Sequence, residues 1–184
     1  GSRGAGRSHL LHATCAEVNA SGEAAAYIPL EQHAMFEPGV LEQMEQLPLV
    51  CLDNLDAIAG NAQWEESLFD FFNRWKEHNQ GSLIVTAATA PRKIGLCLPD
   101  LASRLDWGLS YQLHELDDEG KLGALQLRAE LRGFKLPVDV GRFLLNRLSR
   151  DMRTLLTTLN ELDHASLDAK RKLTIPFVKE ALHL

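Results

Sequence analysis

The sequence predicts an α/β nucleotide-binding layer followed by a small all-helical domain. Three observations carry this. Gly1-Ser2-Arg3-Gly4-Ala5-Gly6-Arg7-Ser8 fits the phosphate-binding loop G-x-x-x-x-G-K-[ST], except that Arg7 stands where the lysine belongs. Two apolar runs, Leu49–Leu52 and Ser82–Thr86, bracket an amphipathic segment. That alternation is typical of parallel strands covered on both faces and joined by helical crossovers. From Asp117 to Leu184 every signal is helical and no strand pattern recurs.

The elements follow in order. A phosphate loop normally leaves a buried strand. Here the loop opens the sequence, so the first strand is expected to be missing and the chain reads as the C-terminal portion of a longer protein. Ser8 to Ala20 has no Gly or Pro and sets Leu10, Leu11, Thr14 and Val18 at helical spacing. Ser21-Gly22 ends that helix, with Gly22 as its cap. Ala24–Leu30 is a short apolar strand, and Gly39–Gln46 reads as helical until Pro48. Leu49–Leu52 closes on Asp53. Trp64–His78 is an amphipathic helix carrying Leu68, Phe69, Phe71, Phe72 and Trp75, and Leu109–Leu113 is a last, weaker strand.

In the second half, Asp117-Asp118-Glu119 places acids where a helix dipole favours them, and Gly133 closes that helix. Pro137 opens the next, with Val140, Phe143, Leu144 and Leu148. Met152–Leu162 is a third, and Thr174 caps a fourth that runs through Pro176 to Leu182. The expected domains are residues 1–114 and 115–184, with a hinge near His114–Leu116.

Composition narrows the function. The 184 residues are 45% hydrophobic, enough for a real core, and carry a net charge of -6. A dedicated duplex-DNA binder is usually basic, so autonomous DNA binding is not expected. Arg92-Lys93 and Lys170-Arg171-Lys172 read as solvated surface. Cys15, Cys51 and Cys97 are far apart, odd in number and set among apolar neighbours, as reduced core thiols of a cytoplasmic protein would be. The seven histidines have no metal-ligand spacing. No apolar run approaches the ~20 residues of a membrane span, and no signal peptide opens the chain.

The chemistry lies in four places. Gly4 and Gly6 let backbone N–H groups curl around phosphate oxygens, and Ser8 begins a helix whose positive end faces the anion. The Ser8 hydroxyl can ligate Mg²⁺. The nucleotide-binding segment is taken as Arg3, Gly4, Ala5, Gly6, Arg7, Ser8 and His9. Arg7 is longer than lysine, planar and forked; it binds phosphate but crowds the γ-phosphate position. Asp53 ends an apolar strand, the place of an acid that holds Mg²⁺. The next residue is Asn54, an amide that cannot serve as a base. Arg104 follows Pro99-Asp100 and reads either as a surface ion pair or as a finger entering a neighbour's site. Arg153 reads either as a surface charge or as an arginine folding back on phosphates. Phe69 and Asn73, four apart on one helix face, are candidate partner contacts.

These elements in this order resemble the AAA+ superfamily, within it the DnaA family, and most closely the shortened DnaA homologues of the Hda family. The resemblance covers essentially the whole chain. It rests on GAGRSHLLHA, LVCLDN, LPDLASRLDWG, LRGFKLPVDVGRFLLNRL, RDMRTLLTTL and RKLTIPFVKE. It implies an AAA+ module with a helical lid and a negative regulator of replication initiation. Such a protein, with the DNA-loaded sliding clamp, stimulates hydrolysis of DnaA-bound ATP. By position, Gly4, Gly6, Arg7 and Ser8 would hold phosphates, Asp53 the Mg²⁺ site, Arg153 the sensor-II role and Arg104 the arginine finger. The implied cofactor is an adenine nucleotide, ADP before ATP, with Mg²⁺ at Ser8 and Asp53 if a metal is present. The implied partners are DnaA and the clamp, the latter through an N-terminal motif this chain lacks. Self-association is open, DNA contact is indirect and no membrane is involved. DnaA's C-terminal DNA-binding domain is not expected.

One departure weakens self-hydrolysis. The family's sensor-I segment commonly reads TxDR, whereas this chain has Thr86-Ala87-Ala88-Thr89, with Ala88 in the acid's place. Thr86 and Thr89 are the available polar substitutes. The alternative function is an autonomous AAA+ ATPase, a DnaA-like initiator or helicase loader; a third is a scaffold with a vestigial pocket.

Overall fold

Strand β2 (Leu49–Asp53) is buried at all five positions, because both of its faces are covered. It lies between β1 (Ala25–Pro29) and β3 (Ser82–Val85) in a parallel sheet of order β1-β2-β3. The register pairs Tyr27 with Cys51 and Pro29 with Asp53, and on the other side Cys51 with Ile84. Side chains two apart share a face. Helix α1 (Arg7–Ala20) therefore packs Leu11 and Cys15 on the face that carries Tyr27, Leu49, Cys51 and Ile84. The opposite face, with Ile28, Val50 and Leu52, meets Trp64, Leu68 and Phe71 of α2 (Ala62–His78) and Leu101 of α3 (Pro99–Leu105). Complete burial of a side chain the size of Phe71 contributes about 1.5–3 kcal/mol.

The computed structural model describes residues 1–78 and 80–184, in two compact units, Gly1–Glu115 and Leu116–Leu184. The second unit is helical throughout. Helix α4 (Asp118–Leu131) is capped by Asp117, whose side chain accepts from the Gly120 N–H, and Gly133 turns the chain away at φ 84. Helix α5 (Val138–Arg147) follows Pro137. Helix α6 (Met152–Ala169) is capped by Asp151 and α7 (Ile175–Ala181) by Thr174. Their apolar stripes close on Leu125, Val140, Leu144, Leu155, Leu159 and Val178. A Cβ on Gly141 would lie 2.3 Å from Leu122 Cδ1, so a larger residue would push the Leu122 side chain aside.

The structure corrects four sequence expectations. Leu109–Leu113 is not a strand. Leu109 and Tyr111 are 87% and 80% exposed, and among the described residues no strand lies beside this segment to share a ladder. The backbone of Gly1 comes between its end and the residues after β3: a Cβ on Gly1 would sit 2.7 Å from Leu113 O, and its amino group donates to Ala87 O at 3.1 Å. Gly39–Gln46 is not one helix but two 3-10 turns, Pro38–Leu41 and Met44–Gln46. Gln43 between them is left-handed at φ 63, which breaks the helical ladder. Helix α6 runs past Leu162 to Ala169 and stops where Lys170 turns left-handed at φ 50. Cys15 and Cys51 are buried as expected, but Cys97 is exposed, in the loop that enters α3.

Candidate functional site: a phosphate cradle and a separate arginine cleft

The phosphate loop curls because two of its residues take backbone angles that side chains disfavour. Gly4 and Gly6 have φ values of 90 and 89, in the left-handed region open to glycine at little cost. Gly6 is the N-cap of α1, with no side-chain cap bond, and the Ala5 N–H closes a turn on Ser2 O at 3.2 Å. Arg3, Gly4, Ser8 and His9 are exposed around this turn and Ala5 is half-buried. The uncapped amides at the start of a 14-residue helix are what an anionic phosphate requires. The cradle thus fits a nucleotide's phosphates.

Arg7 turns inward. Its guanidinium lies 3.6 Å from Asp56, in the turn that follows β2, and its Nη1 has no hydrogen-bond partner. Asp56 also accepts from the Ala88 N–H at 2.7 Å. Asp56 thereby ties the phosphate loop to the segment after β3.

Asp53 is buried at the end of β2 and ringed by hydroxyls. Tyr27 donates to Oδ2 at 2.7 Å and Thr86 donates to Oδ1. Burial pushes the Asp53 carboxyl up. Hydrogen bonds from Ser8, Thr86 and Tyr27, with the nearby Arg7 charge, outweigh burial and hold it below its ordinary value. Burial and the same carboxylate push the Tyr27 phenol well above its usual range, so it remains a donor. Asn54 is left-handed at φ 65; its amide side chain donates to Glu31 and its N–H donates to Thr86 Oγ1 at 3.0 Å. Thr86 thus bridges β2 and the end of β3.

Arg104 belongs to a second site, built on α2 and α3. Buried Leu101 anchors α3, and buried Glu65 fixes its start by accepting from the Leu98 N–H at 2.8 Å and the Gly60 N–H at 2.7 Å. The Arg104 guanidinium stacks 3.9 Å from the centre of the Phe69 ring. Its buried Nη1 has no hydrogen-bond partner, and it forms no ion pair among the described residues. The cleft beside it, about 170 Å³, is lined by Phe72, Asn73, Lys76, Glu77, Arg104 and Trp107. Lys76 Nζ sits 4.4 Å over Trp107, which is 62% exposed. Phe69, Asn73 and Arg104 are therefore brought together, and none of them belongs to the phosphate cluster.

Arg153 is exposed in the first turn of α6, two residues past the capping Asp151, within the second unit. Tyr27, Asp56, Lys76 and Trp107 were not singled out from sequence. Tyr27 was legible only as part of an apolar run; its approach to Asp53 depends on strand register. Among the described residues no cluster of three or more His, Cys, Asp or Glu is placed to hold a metal ion, and no helix is long and apolar enough to cross a membrane.

Comparison with known proteins places this geometry. The family described as "Hda, lid domain" matches residues 118–182. Domain III of the replication initiation protein DnaA from Thermotoga maritima superposes with a TM-score of 0.81 at 19% identity, over 100% of this chain and 81% of that one. AMPPCP-bound DnaA from Aquifex aeolicus gives 0.67 at 21% identity, over 87% of this chain and 53% of that one. The replication initiator DnaA bound to AMPPCP and single-stranded DNA gives 0.68 at 18% identity, over 98% and 68%. The chain thus spans between about half and four-fifths of these DnaA chains. The chain thus has the fold of DnaA domain III, a three-stranded parallel sheet flanked by helices, followed by a helical unit similar to the Hda lid domain over residues 118–182.

Proposed function

We propose that the chain is a DnaA-related regulator that holds an adenine nucleotide and supplies Arg104 to ATP bound on DnaA. The observation that carries this reading is the state of Arg104: stacked on Phe69, with one nitrogen buried and no acidic partner among the described residues. A cation already stripped of water on one side, and uncommitted to a carboxylate, suits a phosphoryl group that gains charge during transfer. Phe69 and Asn73 on the same face would contact the partner. The working assembly would include the DNA-loaded sliding clamp.

The phosphate cradle plays a different part. Arg3 to His9 would hold the nucleotide, ADP in preference to ATP. Three features favour holding over cleaving: Arg7 pairs with Asp56, Asn54 is no base, and Ala88 has no side-chain charge. That DnaA binds AMPPCP in two of the similar structures supports an adenine nucleotide here.

The test is Arg104→Ala. ADP should stabilise the variant against heat as it does the wild type, because binding to the folded state raises the melting temperature. Stimulation of DnaA-bound ATP hydrolysis should fall by roughly 10³-fold or more, the usual effect of removing an arginine finger. Robust turnover of ATP by the isolated chain would instead favour an autonomous ATPase.

A further inference from the structure

We infer that Tyr27 closes the metal corner of the phosphate site, so that the chain holds its nucleotide without Mg²⁺. This rests on the nucleotide-holding reading above and concerns how that same site works. Mg²⁺ needs near-ideal octahedral oxygen geometry and gives up its waters reluctantly, so it binds through a carboxylate and a hydroxyl free to face it. Asp53 and Ser8 are the right chemical types. Both carboxylate oxygens of Asp53 already accept a hydroxyl. Tyr27 donates to Asp53 Oδ2 at 2.7 Å, and Thr86 donates to Oδ1. A metal-bound water would have to share Oδ2 with the Tyr27 phenol.

Tyr27 is not free to swing away. Its backbone is locked in β1 by pairing with Cys51, and its ring stacks on His12 with centroids 4.0 Å apart. Positive charge near the carboxylate comes from a fixed side chain. The Arg7 guanidinium pairs with Asp56 at 3.6 Å, and its charge also lowers the Asp53 carboxyl. A built-in cation beside a carboxylate sealed by hydroxyls does locally what a divalent ion does elsewhere. Tyr27 is thus a positioning residue: it acts on Asp53, not on the nucleotide.

Titration calorimetry with ADP tests this, in excess Mg²⁺ and again in EDTA. Wild-type affinity should be the same in both. Tyr27→Phe removes one hydroxyl, frees Oδ2 and keeps the ring on His12. It should bind ADP in EDTA like the wild type and gain about tenfold in Mg²⁺, the worth of one charge-assisted bond. A wild-type protein that loses about tenfold or more in EDTA overturns the inference, and that arm does not depend on the variant folding. A folded Tyr27→Phe protein indifferent to Mg²⁺ overturns it too. If the wild type binds no ADP in either buffer, the nucleotide-holding reading itself fails, and this one with it.

Discussion

Asp53 keeps its charge in a buried place because three hydroxyls and Arg7 together outweigh the cost of burial. The sign of the consequence follows. Its folded value lies below the ordinary 3.8, so its stabilisation is complete above that value and is lost as pH falls through the lower folded one. Asp53→Asn should therefore flatten the acid arm of a stability curve measured by urea unfolding between about pH 2 and pH 5. A variant with the same acid dependence as the wild type would place the charge's effect elsewhere. Glu65 is a second residue whose role is structural. It is 1% exposed and holds two backbone N–H groups, Gly60 and Leu98, on either side of α2. Glu65→Ala leaves both amides without this acceptor, and should cost about 1–3 kcal/mol of the first unit's stability. Glu65→Gln keeps one good acceptor and should cost less. Urea midpoints for both variants check the order.

At the scale of elements, the phosphate loop depends on the left-handed turn that starts α1. Gly6→Ala meets no neighbouring atom within 4 Å, so crowding is not the issue; the φ of +89 is. The strain should cost about 1–2 kcal/mol and should lower the ADP-induced rise in melting temperature more than it lowers stability alone. Much of this architecture was legible in advance. Asp117 and Thr174 lie at the caps they signal, and the five residues of β2 are apolar up to Asp53 because both sheet faces are covered. The misreadings have physical causes. Nothing in Gln43 announces a left-handed residue, yet it splits the 39–46 segment into two turns. Leu109–Leu113 has strand composition, but a strand is a property of a pair, and among the described residues no strand pairs with it. The reach of α6 past Leu162 was masked by its polar later turns. In the sites, the glycines, Ser8, Asp53 and Arg104 were readable because the chemistry fixes their spacing. Tyr27 and Asp56 were not, because register and turn geometry bring them in.

At the scale of the whole molecule, the chain divides its work. The first unit carries a phosphate loop pinned through Arg7 and Asp56 and, on α2 and α3, an arginine cleft that shares no residue with it. The second unit, similar to the Hda lid domain over residues 118–182, carries Arg153. The central claim is that Arg104 acts on ATP held by another protein. The most direct measurement is hydrolysis of DnaA-bound ATP in the presence of clamp loaded on DNA, with wild-type chain or Arg104→Ala, each first shown to be stabilised by ADP. Stimulation by the wild type and its loss in the variant, with ADP binding unchanged, is the expected result. Equal stimulation by both proteins would contradict the account.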